Sequence, residues 1–184
     1  QNPFDFAIAG TGFVGPTAPI ANDDTGPGLT EDGANGTVNV LTNDLDPNGN
    51  PTAPVNGAGQ FSVDVDTVTA GIQTTLTDAQ GIWTLDTATG IVTFDPANNY
   101  NGTAVISYTL CDPTALCDNA TITFVVTAVN DLPTSIAPAS ASTTEDLPLN
   151  FTGANLLSVA DVDGTNLTVN LLVDHGTLTM STLV

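Results

Sequence analysis

The sequence predicts an all-β protein built of antiparallel β-sandwich domains in a linear series, and three observations carry that prediction. Eighteen of the twenty carboxylates are Asp, about one residue in six is Thr, and 17 Gly and 12 Pro punctuate the chain. Thr favours strands, and Asp, Gly and Pro favour turns. Apolar residues alternate with polar ones in several stretches, the period of half-buried strands. A set of short motifs recurs after about 110 residues, about the length of a seven-stranded sandwich.

In chain order, Phe4, Phe6 and Ile8 alternate and predict a strand, followed by a Gly/Pro linker. Val38 with Val40, Trp83 with Leu85, and Val92 with Phe94 mark short strands. Ala104, Ile106, Tyr108 and Leu110 share one face of a longer strand. Ile122, Phe124 and Val126 share a face of the next, opposite Thr121, Thr123 and Thr127. Leu167, Val169, Leu171 and Val173 repeat the pattern and predict another strand. No segment has a convincing helical period.

The repeat rests on three motifs in fixed order. Asn22-Asp23 recurs at Asn130-Asp131, Thr30-Glu31-Asp32 at Thr144-Glu145-Asp146, and Asp44-Leu45-Asp46 at Asp161-Val162-Asp163. The offsets are 130 − 22 = 108, 145 − 31 = 114 and 161 − 44 = 117, a drift that loop insertions explain. The expected organisation has three parts. Residues 1–18 form the closing strand of a preceding domain plus a linker, 19–131 a complete sandwich, and 132–184 the first half of another. Both termini read as cuts through a longer chain.

There is no Lys and no Arg, and the formal net charge is −20. Nucleic-acid binding needs cations against phosphate, and anionic membrane surfaces repel such a chain. Schiff-base chemistry, P-loops and Lys–Asn crosslinks are likewise excluded. Disorder is not expected, because hydrophobic residues make up 41%. No apolar run approaches the ~18 residues of a membrane span.

Several motifs together resemble the cadherin-like and Ig-like tandem repeats of very large bacterial surface adhesins. They are Gly90-Ile-Val-Thr-Phe-Asp-Pro96, Tyr100-Asn-Gly-Thr103, Ile106-Ser-Tyr-Thr-Leu-Cys-Asp112, Val126-Thr-Ala-Val-Asn-Asp131 and Asp174-His-Gly-Thr-Leu178. The Cys-Asp hairpin at 111–118 resembles secreted repeats of Bacteroidetes, including gliding-type adhesins. The resemblance implies an extracellular, cell-surface stalk whose partners are neighbouring repeats of the same chain, with glycan contact left to domains outside this sequence.

Without a basic residue in the chain, each carboxylate must be solvated, accept backbone hydrogen bonds or bind a cation. Asp78 and Asp86 are expected to be solvated turn residues. Alternating strands put Glu31, Asp32 and Asp95 at the C-terminal pole of the complete domain. The same alternation puts the 44–50 loop and the hairpin carrying Asp112 and Asp118 at its N-terminal pole. A junction between domains would then gather Glu31, Asp95, Asn130, Asp131, Asp161 and Asp163. The upper junction would gather Asn22, Asp23, Asp24, Asp44 and Asp46. Oxygen-only ligand sets suit Ca2+. Asp44-x-Asp46-x-Asn48-Gly49 resembles the start of an EF-hand loop, but its twelfth position is Val55 instead of Glu. Asx-turn capping without metal is the alternative.

Cys111 and Cys117 flank a five-residue turn between two strong strands, a spacing that suits a loop-end disulfide; reduced thiols are the alternative. A disulfide implies an extracytoplasmic setting. No enzyme is expected. His175 has no nucleophile placed beside it, Trp83 reads as core, and Asp64 and Asp66 read as one face of a strand with no opposed carboxylate. Two other functions compete with the stalk: a filament subunit assembling by strand exchange, and a carbohydrate-binding module.

Overall fold

The computed structural model describes residues 15–164 and 166–179. The expected N-terminal strand at Phe4–Ile8 and the last residues from Met180 lie outside them. The chain divides into two compact units, Gln1–Val129 and Asn130–Val184.

The first unit is a sandwich of two sheets. Its strands are β1 (Asp24–Thr25), β2 (Leu29–Thr30), β3 (Gly36–Asn39), β4 (Ser62–Asp64), β5 (Thr75–Thr77), β6 (Gly81–Asp86), β7 (Ile91–Pro96), β8 (Gly102–Cys111) and β9 (Cys117–Thr127). One sheet runs β1-β9-β8-β4, with β2 also on β9, and the other runs β3-β7-β6-β5. The short β1 and β2 pair parallel with β9, whereas the other pairs in both sheets are antiparallel.

Alternation in the sequence decides which face is buried. Ala104, Ile106, Tyr108 and Leu110 of β8 and Ala120, Ile122, Phe124 and Val126 of β9 all point into the core. From the other sheet come Trp83 and Leu85 of β6 and Val92 and Phe94 of β7. The sheets meet through aromatic rings. Trp83 stacks on Phe94 with centroids 4.0 Å apart, and Phe124 lies 5.8 Å and 5.5 Å from them. Gly36 is required by this contact, since a Cβ there would stand 2.4 Å from the Phe124 ring.

The second unit has a two-stranded antiparallel sheet, β10 (Thr134–Ile136) with β11 (Ser158–Ala160), and one 3-10 turn at Gly153–Asn155. Here one expectation fails. Residues 167–173 keep their alternation but form no strand, and Leu167, Val169, Leu171 and Val173 are all exposed. An amphipathic strand needs a neighbour for its backbone and a core for its face. Among the described residues β10 and β11 pair with each other alone.

Two further expectations change. Asp66 lies beyond the end of β4, where its N–H donates to Asp64 Oδ1 at 3.0 Å, so the pair forms a turn instead of a strand face. Asp78 and Asp86 are also more than solvated turn residues. Asp86 accepts the Ala88 N–H at 2.9 Å, and Asp78 accepts those of Gln80 and Gly81 at 2.8 and 3.1 Å.

Candidate functional site

Five carboxylates of the first unit are more than nine-tenths buried: Asp24, Glu31, Asp44, Asp46 and Asp112. Ionised carboxylates are almost never buried unless paired, and no Lys or Arg exists to pair them. All but Glu31 lie at one end of the sandwich, where the linker meets the loop after β3 and the β8–β9 hairpin.

An isolated bridge between Ile20 and Leu45 zips the linker to the loop. The Asn22 N–H donates to Asp44 Oδ1 at 2.7 Å, and the Asn22 and Asn43 side-chain amides cross between linker and loop, donating to Asn43 O at 2.8 Å and Asp23 O at 2.9 Å. Asp23 turns outward and accepts the Thr121 N–H and hydroxyl, each at 2.9 Å; these bonds hold its carboxyl below the usual range. The Ala21 N–H donates to Asp118 Oδ2 at 3.1 Å. Asp46 accepts the Asn48 N–H at 2.6 Å and lines an open groove with Asn48, Asn50, Phe61, Asp112 and Thr114. The N-terminal pole thus assembles as the alternation of strands predicts, with the hairpin carrying Asp112 and Asp118 joining it.

Tyr108 organises the deepest part. Its ring is fully buried in the core, and its hydroxyl reaches the Asp44 carboxylate at 3.1 and 3.3 Å and the carbonyls of Asn22 and Val40 at 3.2 and 3.3 Å. Burial pushes this phenol far above its ordinary value, and the Asp24 and Asp44 charges add to that. Burial likewise raises Asp44, and it pushes Asp24 up to about 6 with help from the Asp44 and Asp23 charges. Asp24 Oδ2 is buried without a well-formed hydrogen bond, and the Tyr108 hydroxyl and the Asn43 amide beside this carboxyl offset only part of the upward shift.

At the opposite end, Glu31 accepts the Val129 N–H at 2.6 Å and the Asn101 amide at 3.2 Å. Asp95, expected beside it, is exposed opposite Ile82 and lines a shallow groove with Thr77, Asp78 and Asn98.

In the second unit, the Asp131 N–H donates to Asp163 Oδ2 at 2.7 Å, and Asp161 Oδ1 accepts from Asp163 N and Gly164 N at 2.9 and 2.6 Å. The Asn130 amide donates to Asp131 O at 2.7 Å. In both copies of the repeat a linker N–H donates to the Asp-x-Asp, but from different positions: Asn22 to the first Asp, Asp44, and Asp131 to the second, Asp163. The Thr-Glu-Asp turns match, with Thr30 O accepting from Gly33 and Thr144 O from Leu147. They differ in that Glu31 is buried and Glu145 exposed.

Cys111 and Cys117 are joined by a disulfide across the end of the β8–β9 hairpin, where the two are paired in register. His175 lies in an exposed turn. Among the described residues no helix is long and apolar enough to cross a membrane.

Two facing sheets, short strands pairing parallel at one edge and an acid-rich pole define an immunoglobulin-like sandwich. Residues 16–125 match the family model of the bacterial Ig domain, and the chain belongs to that family. No curated protein matches it. Among solved structures it is similar to extracellular cadherin domains 1–5 of protocadherin gamma B2, with 20% identity and a TM-score of 0.42. That match covers 80% of this chain and 26% of the other, so the chain spans about a quarter of that structure's length.

The N-terminal pole offers oxygen donors alone, the kind a hard cation takes, but among the described residues no three of its carboxylates bring their oxygens within 4.8 Å of one another. The sequence placed Tyr108 on a strand face and Asn101 in a motif without giving either a role at the site, and it gave Asn43 none. Tyr108 carried a usable signal, since a tyrosine on a buried face must find a partner for its hydroxyl.

Proposed function

We propose that the chain is a spacer segment of a large bacterial surface or secreted adhesin, carrying adhesive domains away from the cell, with Ca2+ stiffening the ends of its sandwiches. One observation carries this reading: carboxylates more than nine-tenths buried stand at the ends of the sandwich in a chain without Lys or Arg. Asn22, Asp23, Asp24, Asp44 and Asp46 are the proposed set for the upper ion, with Asp23 turning in from Thr121 to join it. Glu31, Asp95, Asn130, Asp131, Asp161 and Asp163 are the proposed set for the junction. A divalent ion supplies positive charge that offsets like-charge repulsion, so a linker tied to it loses freedom. The protein-derived part of the work is done by Tyr108 and the Asn22 N–H, which fix Asp44. Membership in the bacterial Ig family supports the adhesin setting, and the disulfide supports an extracytoplasmic one.

Small-angle scattering with and without calcium tests the spacer. Calcium should narrow the distribution of dimensions, and identical profiles in calcium and in chelator at one ionic strength would remove the reading.

A second reading is assembly by strand exchange. It is favoured by the open apolar groove of the second unit, lined by Ile136, Ala137, Leu157, Val159, Val169 and Leu171. Concentration-dependent fibres by negative stain would support it, and their absence at millimolar protein would count against it.

A further inference from the structure

We propose that Gln80 is a built-in plug that closes the free edge of β8 and prevents it from adding a strand from a second copy of this chain. On one side β8 pairs with β9 along its whole length, from Gly102↔Val126 to Cys111↔Cys117. On the other side β4 covers only Thr109 to Cys111. Among the described residues no strand pairs with the rest of that side.

The sequence of this free edge makes it hazardous. Residues 102–108 read Gly-Thr-Ala-Val-Ile-Ser-Tyr, with no charge and no Pro in a chain that otherwise carries −20. Edges guard themselves with charges, Pro, bulges or a covering segment, and an uncharged edge rich in β-branched residues is a template for pairing. A two-fold axis would let two such edges pair antiparallel with no like-charge contact between the strands themselves.

Gln80 occupies that template. Val105 N–H donates to Gln80 Oε1 at 2.7 Å, and Gln80 Nε2 donates to Val105 O at 3.2 Å. The side-chain amide thus presents to Val105 the donor and acceptor that a neighbouring strand would present. The Tyr100 hydroxyl donates to Thr103 O at 2.9 Å, satisfying the next carbonyl along the same side. Gln80 belongs to the β5–β6 turn of the opposite sheet, so the plug crosses the open side of the sandwich.

The plug is held on its own side as well. Asp78 accepts the Gln80 N–H at 2.8 Å and the Gln80 Nε2 at 2.9 Å, while Gln80 O accepts the Ala97 N–H at 2.9 Å. An amide fixed in this way loses little rotamer freedom on binding Val105. Asp78 is therefore a positioning residue for the plug.

Two measurements test this. Light scattering after size exclusion compares Q80A with the unaltered chain from micromolar to millimolar protein, at low and high salt. Q80A should at least double in mass as concentration rises, more readily at high salt, which screens the repulsion between two molecules of like charge. A folded Q80A, with unchanged near-ultraviolet dichroism from Trp83, that keeps the mass of the unaltered chain throughout would overturn the proposal. Amide hydrogen exchange on the unaltered chain decides the matter without a variant. A hydrogen bond of about 1 kcal/mol slows exchange about fivefold, so Val105 should be protected despite facing the free side. Exchange at the unprotected rate would overturn the proposal as well.

Discussion

A buried carboxylate without a cationic partner must bind a proton or a cation, or accept hydrogen bonds, and at Asp24 the Tyr108 hydroxyl and the Asn43 amide do not outweigh burial. Its carboxyl, pushed up to about 6, holds a proton more tightly in the folded than in the unfolded chain, where the ordinary value is 3.8. Its contribution to stability is present in full below that lower value and is lost as pH rises through about 6. The hydrogen-bonded Asp23, Asp66 and Asp86 are lowered, so their contributions are present above 3.8 and are lost on further acidification. In chelator, the melting temperature should therefore rise as pH falls from about 7 to about 5. D24N should flatten this rise; a D24N curve parallel to that of the unaltered chain would show that Asp24 is not its source. Y108F removes the hydroxyl donated toward Asp44 and should cost about 1–3 kcal/mol by denaturant unfolding. The Asp-x-Asn and Asp-x-Asp turns were legible in the sequence because an Asx turn is local. The Tyr108 contacts with Asp44 and Asn22 were not, because they join residues 64 and 86 positions apart.

The elements that were legible are the long ones. β8 and β9 have enough residues for alternation to show, and each buries the face the pattern predicts. β1 and β2 have two residues each and β4 has three, too few for a period to register. Their existence follows from pairing with β9 and β8, which is a tertiary fact. Residues 167–173 show the converse, an alternation with no described neighbour to pair with. The hairpin disulfide closes a loop of separation 6, and its removal in C111S/C117S should cost about 2 kcal/mol or less, because hairpin pairing already holds those ends together. Gly36→Ala should cost more than an exposed Gly→Ala change, about 1–3 kcal/mol by chemical denaturation, because its Cβ would press on the Phe124 ring that joins the sheets.

Over the whole molecule, twenty carboxylates and no Lys or Arg give a charge that only ions from the medium can offset. Monovalent salt screens that charge without regard to position, whereas a bound divalent ion acts where the acids are clustered and buried. The two effects separate at constant ionic strength. In each unit a linker N–H bonds an Asp-x-Asp carboxylate, Asn22 to Asp44 and Asp131 to Asp163, and so places an acid beside the linker. The recurring spellings are visible in the sequence; which Asp takes the linker N–H is not, and it differs between the two copies. The partition between metal ligation and turn capping was not visible, because one Asp-x-Asp spelling serves both. Thermal unfolding in millimolar calcium against chelator, with ionic strength matched by sodium chloride, distinguishes bound calcium from screening. If the buried acids bind calcium, occupancy at about a hundred times the dissociation constant adds about 2.7 kcal/mol, and the melting temperature should rise by roughly 10 °C. Superimposable melting curves in calcium and in chelator would contradict it.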